Sequence, residues 1–213
     1  WSLVILLTIS FYTGLSGGFK EMDYHMLSGY CILTLVLFRI LWGLIGSHHS
    51  KFITFVRGPS KIFQYAKGLL TTRSKDTQLN VNQHAGHNPL GALSIIAILI
   101  SLVVQASTGL FANDDIMLEG PLSHLVTYDT SRMLTGVHKT NIWVLAALAG
   151  LHVCAILFYQ FYKKEPLVIA MFTGKKTLDS PEPEADSIVR ELSLGTLTLA
   201  ICAGVVYAII TYL

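Results

Sequence analysis

Three histidines, His25, His138 and His152, lie within long apolar stretches of the chain. An ionisable side chain in hydrocarbon forgoes hydration, and such residues default to a functional role. Paired imidazoles can close both axial positions of a haem b, giving an iron that passes electrons and leaves no site for a substrate. His25 and His138 each begin an apolar stretch on the same side of the membrane, so they lie at one depth on helices able to face each other. His152 follows His138 by fourteen residues. On a helix that is about 40° short of four full turns and about 21 Å along the axis. The two therefore share a face, with room for one macrocycle toward each membrane surface.

A second haem needs a second imidazole at the level of His152. In the first apolar stretch that depth falls at Trp1 or just before it, and this stretch contains no histidine. The expectation is a fourth ligand immediately before Trp1, in a chain whose start looks cropped. Arg39 lies fourteen residues beyond His25. It is placed either to pair with a haem propionate or to snorkel to the surface beside Trp42. Gly29, one turn past His25, and Gly150, near His152, would let a flat macrocycle approach the backbone, although glycine also serves ordinary helix contacts. His48, His49, His84 and His87 fall at the inner surface; His84 or His87 could contact a quinone or replace the absent ligand. His124, in the outer loop, could lie near a partner's cofactor or a quinone.

The elements that must position these residues are membrane helices. Of the 213 residues 52% are hydrophobic and 13% charged, with a mean hydropathy of +0.56; soluble domains carry about 25% charged residues. The pattern predicts an all-α integral membrane protein: a bundle of four transmembrane helices (about 1–18, 24–45, 89–111 and 136–161) and a fifth at the C-terminus (about 192–213). The expected division is a haem-holding domain over 1–176 and a linker with the last helix over 177–213. Eleven Lys and Arg fall in the loops between spans two and three and between spans four and five, against three on the other side. Positive charge marks the cytoplasmic side, which puts the N-terminus inside and the C-terminus outside.

Pro59 to Leu70 reads as an amphipathic helix on anionic lipid or a docking surface. The outer loop from Ala112 to Thr135, with Asp114, Asp115, Glu119 and Asp129, is the natural place for a periplasmic partner. Ser180 to Asp186 reads as an acidic linker. Cys31, Cys154 and Cys202 are expected to be buried small apolar residues. No Cys-x-x-Cys-His occurs, which excludes covalent haem attachment within this chain. Neither a repeat nor a cleavable signal is evident.

The motifs Met22-Asp-Tyr-His-Met-Leu-Ser-Gly-Tyr30, Phe38-Arg-Ile-Leu-Trp-Gly43, Phe55-Val-Arg-Gly-Pro59 and Gly86-His-Asn-Pro-Leu-Gly91 stand in order along the chain. Thr108-Gly-Leu-Phe-Ala-Asn-Asp-Asp115, His138-Lys, His152 and Ala170-Met-Phe-Thr-Gly-Lys-Lys176 follow. In these the sequence resembles the bacterial di-haem cytochrome b family of the nickel–iron hydrogenase b-subunit type, in particular its branch associated with periplasmic c-type cytochromes. The resemblance implies His25 with His138 on the outer haem, and His152 on the inner haem with the histidine of a His-Trp pair whose second member is Trp1.

The expected function is transmembrane electron transfer through two non-covalent bis-histidine haems b, linking the quinone pool to a periplasmic redox partner. The resemblance implies a c-type cytochrome, a hydrogenase or another oxidoreductase as that partner, in a hetero-oligomeric respiratory complex of the bacterial inner membrane. Quinol oxidation and quinone reduction are both compatible, and turnover by this chain alone is left open. No nucleic-acid partner is expected. Two rivals come from other classes. A proton or metal transporter predicts acidic residues within the spans, which contain essentially none. A passive anchor predicts indifference to the histidines.

Overall fold

The structure is a computed structural model that describes residues 1–56, 58–70, 89–116, 118–162, 164, 167–173 and 188–213. His84, His87 and the acidic linker lie outside the described residues. Along the chain run α1 (Ser2–Ser16), α2 (Phe19–Ile45), α3 (Phe52–Phe55), α4 (Pro59–Leu70), α5 (Pro89–Leu110), α6 (Tyr128–Phe161), α7 (Leu167–Thr173) and α8 (Ile188–Tyr212). Four of these, α2, α5, α6 and α8, are long and apolar enough to cross a membrane. The 15-residue α1 is apolar but shorter than a full crossing.

Three helices begin earlier than their apolar runs suggest, because polar residues start them. Helix α2 opens at Phe19 with Glu21 in its first turn, where a carboxylate favours the helix N-terminus. Helix α6 opens at Tyr128, eight residues before the expected position: the Thr127 hydroxyl accepts the Thr130 N–H and Asp129 sits in the first turn. At 34 residues, α6 is about 51 Å long against a hydrocarbon core of about 30 Å. His138 therefore lies ten residues into its helix, not at its beginning, and α6 is longer than the core is thick. Helix α8 begins at Ile188, its first turn carrying Glu191.

Helix α1 packs along α2, and α5 along α6; α2 also lies against α5 and α8, and α4 rests on α5. Helices α2 and α6, which carry the three histidines, are not among the closely packed pairs. They meet through one apolar cluster in which Ile32 and Val36 of α2, Leu102 of α5 and Leu145 of α6 are buried, with Leu3, Leu6 and Leu7 of α1 against them. Ile32 is seven residues past His25; Leu145 is seven past His138 and seven before His152. The cluster thus lies midway between two histidine levels. Elsewhere the surface is inverted relative to a soluble protein: Ile5, Trp143, Leu151 and Tyr207 face outward, while Ser28, Ser101, Ser131 and Thr198 are buried. Small polar residues between helices are the expected packing where lipid removes the hydrophobic drive. Cys202 is buried as expected, but Cys31 and Cys154 are exposed. In a bundle whose outer face is also apolar, hydropathy does not distinguish the two faces.

The described residues of the 112–135 loop form a hairpin. Gly120 N–H donates to Ala112 O at 2.7 Å and Leu122 N–H to Leu110 O at 2.9 Å. The Asp114 carboxylate accepts the Ile116 and Leu118 N–H groups, and Ser131 Oγ donates to Phe111 O at 2.7 Å. At the outer end of α1, Gly17 adopts φ 67°, ψ 12° and its N–H returns to Thr13 O. A side chain in this left-handed region costs roughly 1–2 kcal/mol. Gly17→Ala is therefore expected to lower stability by about that amount in thermal unfolding of the detergent-solubilised protein. The cost is purely one of backbone conformation, since a Cβ there meets open space.

Candidate functional site

His25 and His138 come from different helices and face each other, their ring centroids 6.0 Å apart and their planes at 86°. Each imidazole is held from behind by a neighbouring helix. His25 Nδ1 lies 2.8 Å from Ser10 O on α1, and His138 Nδ1 lies 2.9 Å from Gln105 O on α5. A carbonyl only accepts, so both rings carry their proton on Nδ1 and present the lone pair of Nε2. That is the arrangement of a metal-ligating histidine, whose second nitrogen donates to an outer partner. His138 Nε2 meets the Gln105 amide at 3.1 Å. Gln105 also accepts from Asn141, which is bonded in turn to Ser101. These polar side chains are all satisfied within the bundle.

The two holders share one local pattern. Ser10 is followed by Thr13-Gly14-Leu15, and Gln105 by Thr108-Gly109-Leu110. In each, the threonine hydroxyl turns back to the helix backbone, and the glycine lies under the histidine ring. A Cβ at Gly14 would stand 2.8 Å from His25 Cε1, and one at Gly109 would stand 3.0 Å from His138 Cε1. The signal is present in the sequence as a repeated Thr-Gly-Leu at the outer ends of two apolar runs. It is a short repeat, too short to notice without knowing which carbonyl each histidine meets.

His152 has the same polarity with a different acceptor. Its Nδ1 lies 2.9 Å from Ser94 Oγ on α5, and the Ser94 hydroxyl proton is donated to Gly91 O at 2.8 Å. The Phe11 ring meets Trp143 edge-on at 6.3 Å. Counting nine residues along each of these antiparallel helices brings Ser2 level with His152. Trp1 itself stacks on Phe172 at 4.5 Å. Arg39 donates to Ser50 O at 3.2 Å and lies over the rings of Phe52 and Phe55, at 4.8 and 5.8 Å. It fastens the segment after α2 to the helix. A Cβ at Gly29, Gly136 or Gly150 would meet nothing within 4 Å. Gly136 and Gly150 each stand two residues before a histidine of α6.

The other described histidines lie apart from this set. His48 and His49 are exposed at the end of α2, their centroids 5.3 Å from one another. His124 Nε2 lies 2.7 Å from Leu213 O and ties the outer hairpin to the end of α8.

A family model described as prokaryotic cytochrome b561 matches residues 1–174. The chain belongs to that family. No curated protein and no solved structure matches it. Membership in the cytochrome b561 family makes this a multi-pass membrane protein that transfers electrons across the bilayer by b-type haem. The residues fit such a group: imidazoles from two helices facing each other 6.0 Å apart, each with Nδ1 on a backbone carbonyl, and a loose α2–α6 contact. If the outer imidazoles must lie flat on glycine, overpacking should displace them at roughly 1–3 kcal/mol per site. Gly14→Ala and Gly109→Ala are expected to lower the haem retained per chain, measured by pyridine haemochrome, while Gly204→Ala, which faces open space in α8, leaves it unchanged.

Proposed function

We propose that the chain carries electrons between the quinone pool and a periplasmic redox partner through two bis-histidine haems b. The outer haem is assigned to His25 and His138, and the inner haem to His152 with a histidine at the position preceding Trp1. The observation that carries this reading is the facing pair of His25 and His138, 6.0 Å apart and each anchored through Nδ1. The level of His152 with the start of α1 supports the inner assignment. Haem iron supplies reversible one-electron storage, and the protein closes its axial positions and shields it from water. The buried cluster of Ile32, Val36, Leu102 and Leu145 provides a dry partition between the two levels. Gly29 gives a macrocycle room at the backbone. Beyond its bond to Ser50, Arg39 retains N–H donors that can pair with an inner propionate.

Loop charge supports an inner-membrane orientation with the basic side, including α4, in the cytoplasm. Helix α4, with Lys61 and Lys67 exposed, suits an anionic lipid surface. The outer hairpin, bearing Asp114, Asp115 and Glu119, is assigned as the docking side for the periplasmic partner, a c-type cytochrome, hydrogenase or other oxidoreductase.

The test is a dithionite-reduced minus oxidised spectrum of the purified full-length protein. His138→Ala is expected to remove the outer haem's share of the b-type signal and keep the inner one. His124→Ala is expected to keep both. Full signal in His138→Ala would exclude the outer assignment.

A further inference from the structure

The three anchored histidines do not share one kind of acceptor. His25 and His138 donate Nδ1–H to backbone carbonyls, Ser10 O and Gln105 O, which no substitution removes. The Ser10 and Thr108 hydroxyls stand farther from those two rings, at 3.3 and 3.4 Å, whereas the partner found for His152 Nδ1 among the described residues is a side chain, the hydroxyl of Ser94 at 2.9 Å. A serine hydroxyl has one proton, and here it is committed to Gly91 O at 2.8 Å. With its proton on Gly91 O the oxygen faces His152 as an acceptor, an arrangement that pairs with Nδ1–H and leaves Nε2 for iron. Both groups are partly buried and lie in helices long and apolar enough to cross a membrane. No solvent molecule readily takes the place of this hydroxyl.

Resting on the two-haem reading above, we propose that Ser94 is a positioning residue for the inner haem. It holds the His152 ring in orientation and sets how strongly that imidazole donates to iron, so the two haems are poised separately. An acceptor on Nδ1–H draws the proton away and makes the ring a stronger donor. A stronger donor favours the ferric state and lowers the reduction potential. Removing the acceptor from His152 should therefore raise the inner potential, while the outer pair, held by carbonyls on α1 and the outer half of α5, is untouched.

The experiment is a spectroelectrochemical titration of the full-length protein in lipid nanodiscs, with wild type, Ser94→Ala and Ser94→Thr compared. In Ser94→Ala one of two haem potentials is expected to shift upward and the other to stay. The moving haem should be the one lost in a His152→Ala variant. Ser94→Thr, which keeps the hydroxyl, should return the wild-type value. Should Ser94→Ala lose the inner haem outright, recovery in Ser94→Thr supports the hydroxyl's role, and loss in both variants overturns it. Unmoved potentials, or an equal shift of both haems, overturn the proposal while the two-haem reading stands. A wild type that holds one haem, or a haem that survives His152→Ala unchanged, removes that reading and the proposal with it.

Discussion

An imidazole can serve as a haem ligand inside a bilayer only if its other nitrogen finds a partner there, because no water will satisfy it. For His25 and His138 the nearest partner is a helix carbonyl, Ser10 O or Gln105 O, already engaged with the N–H four residues on. The carbonyl's second lone pair is reachable from a neighbouring helix only where the intervening residue has no side chain in the way. Gly14 and Gly109 meet that condition. Each lets a histidine ring lie against the helix and donate to the carbonyl one turn earlier. The close pairing of α1 with α2 and of α5 with α6 follows from this contact as much as from apolar packing.

The same pairing explains why α2 and α6 stay apart where their histidines face each other. Each is drawn toward its own holder helix, and the two meet at the middle of the bundle, where Ile32 and Leu145 are buried together. The seven-residue spacing from each histidine to this cluster puts an apolar layer between two levels of polar chemistry. In a low-dielectric medium an uncompensated charge costs several kcal/mol. The apolar side chains of this cluster therefore disfavour charge between the two histidine levels, with the buried Ser101 hydroxyl beside them committed to Asn141. Helix α8 takes no part in this arrangement. It packs on α2 through Gly195, which lies against the Trp42 ring, and through buried Thr198, Cys202 and Val206.

Four of the five expected spans, α2, α5, α6 and α8, are legible from hydropathy, and the common level of His25 and His138 from helical rise, which converts residue number into height. What depth does not show is azimuth. Gly14, Gly109 and Ser94 each act by facing a particular ring across an interface, and nothing in the one-dimensional pattern says which face of α1 or α5 that is. Helix starts escape the hydropathy pattern for a related reason. The apolar run of α6 begins near Gly136, but the helix continues outward through polar turns capped by Thr127 and fastened to the hairpin by Ser131. Arg39 is readable as a cation near the inner level; its engagement with Ser50 and Phe52 depends on the short α3 folding back against Gly43.

The assignment on which everything else turns is that His25 and His138 close the two axial positions of one iron. Low-temperature electron paramagnetic resonance of the oxidised full-length protein tests it most directly. Imidazole planes at 86°, were His25 and His138 to hold one iron, would leave its π-type orbitals nearly degenerate and give a low-spin ferric signal of strong anisotropy. Such a signal is predicted in the wild type, with the outer haem's share lost in either His25→Ala or His138→Ala and the whole retained in His124→Ala. A high-spin outer haem in the wild type, or a low-spin signal left undiminished by loss of either histidine, would contradict it.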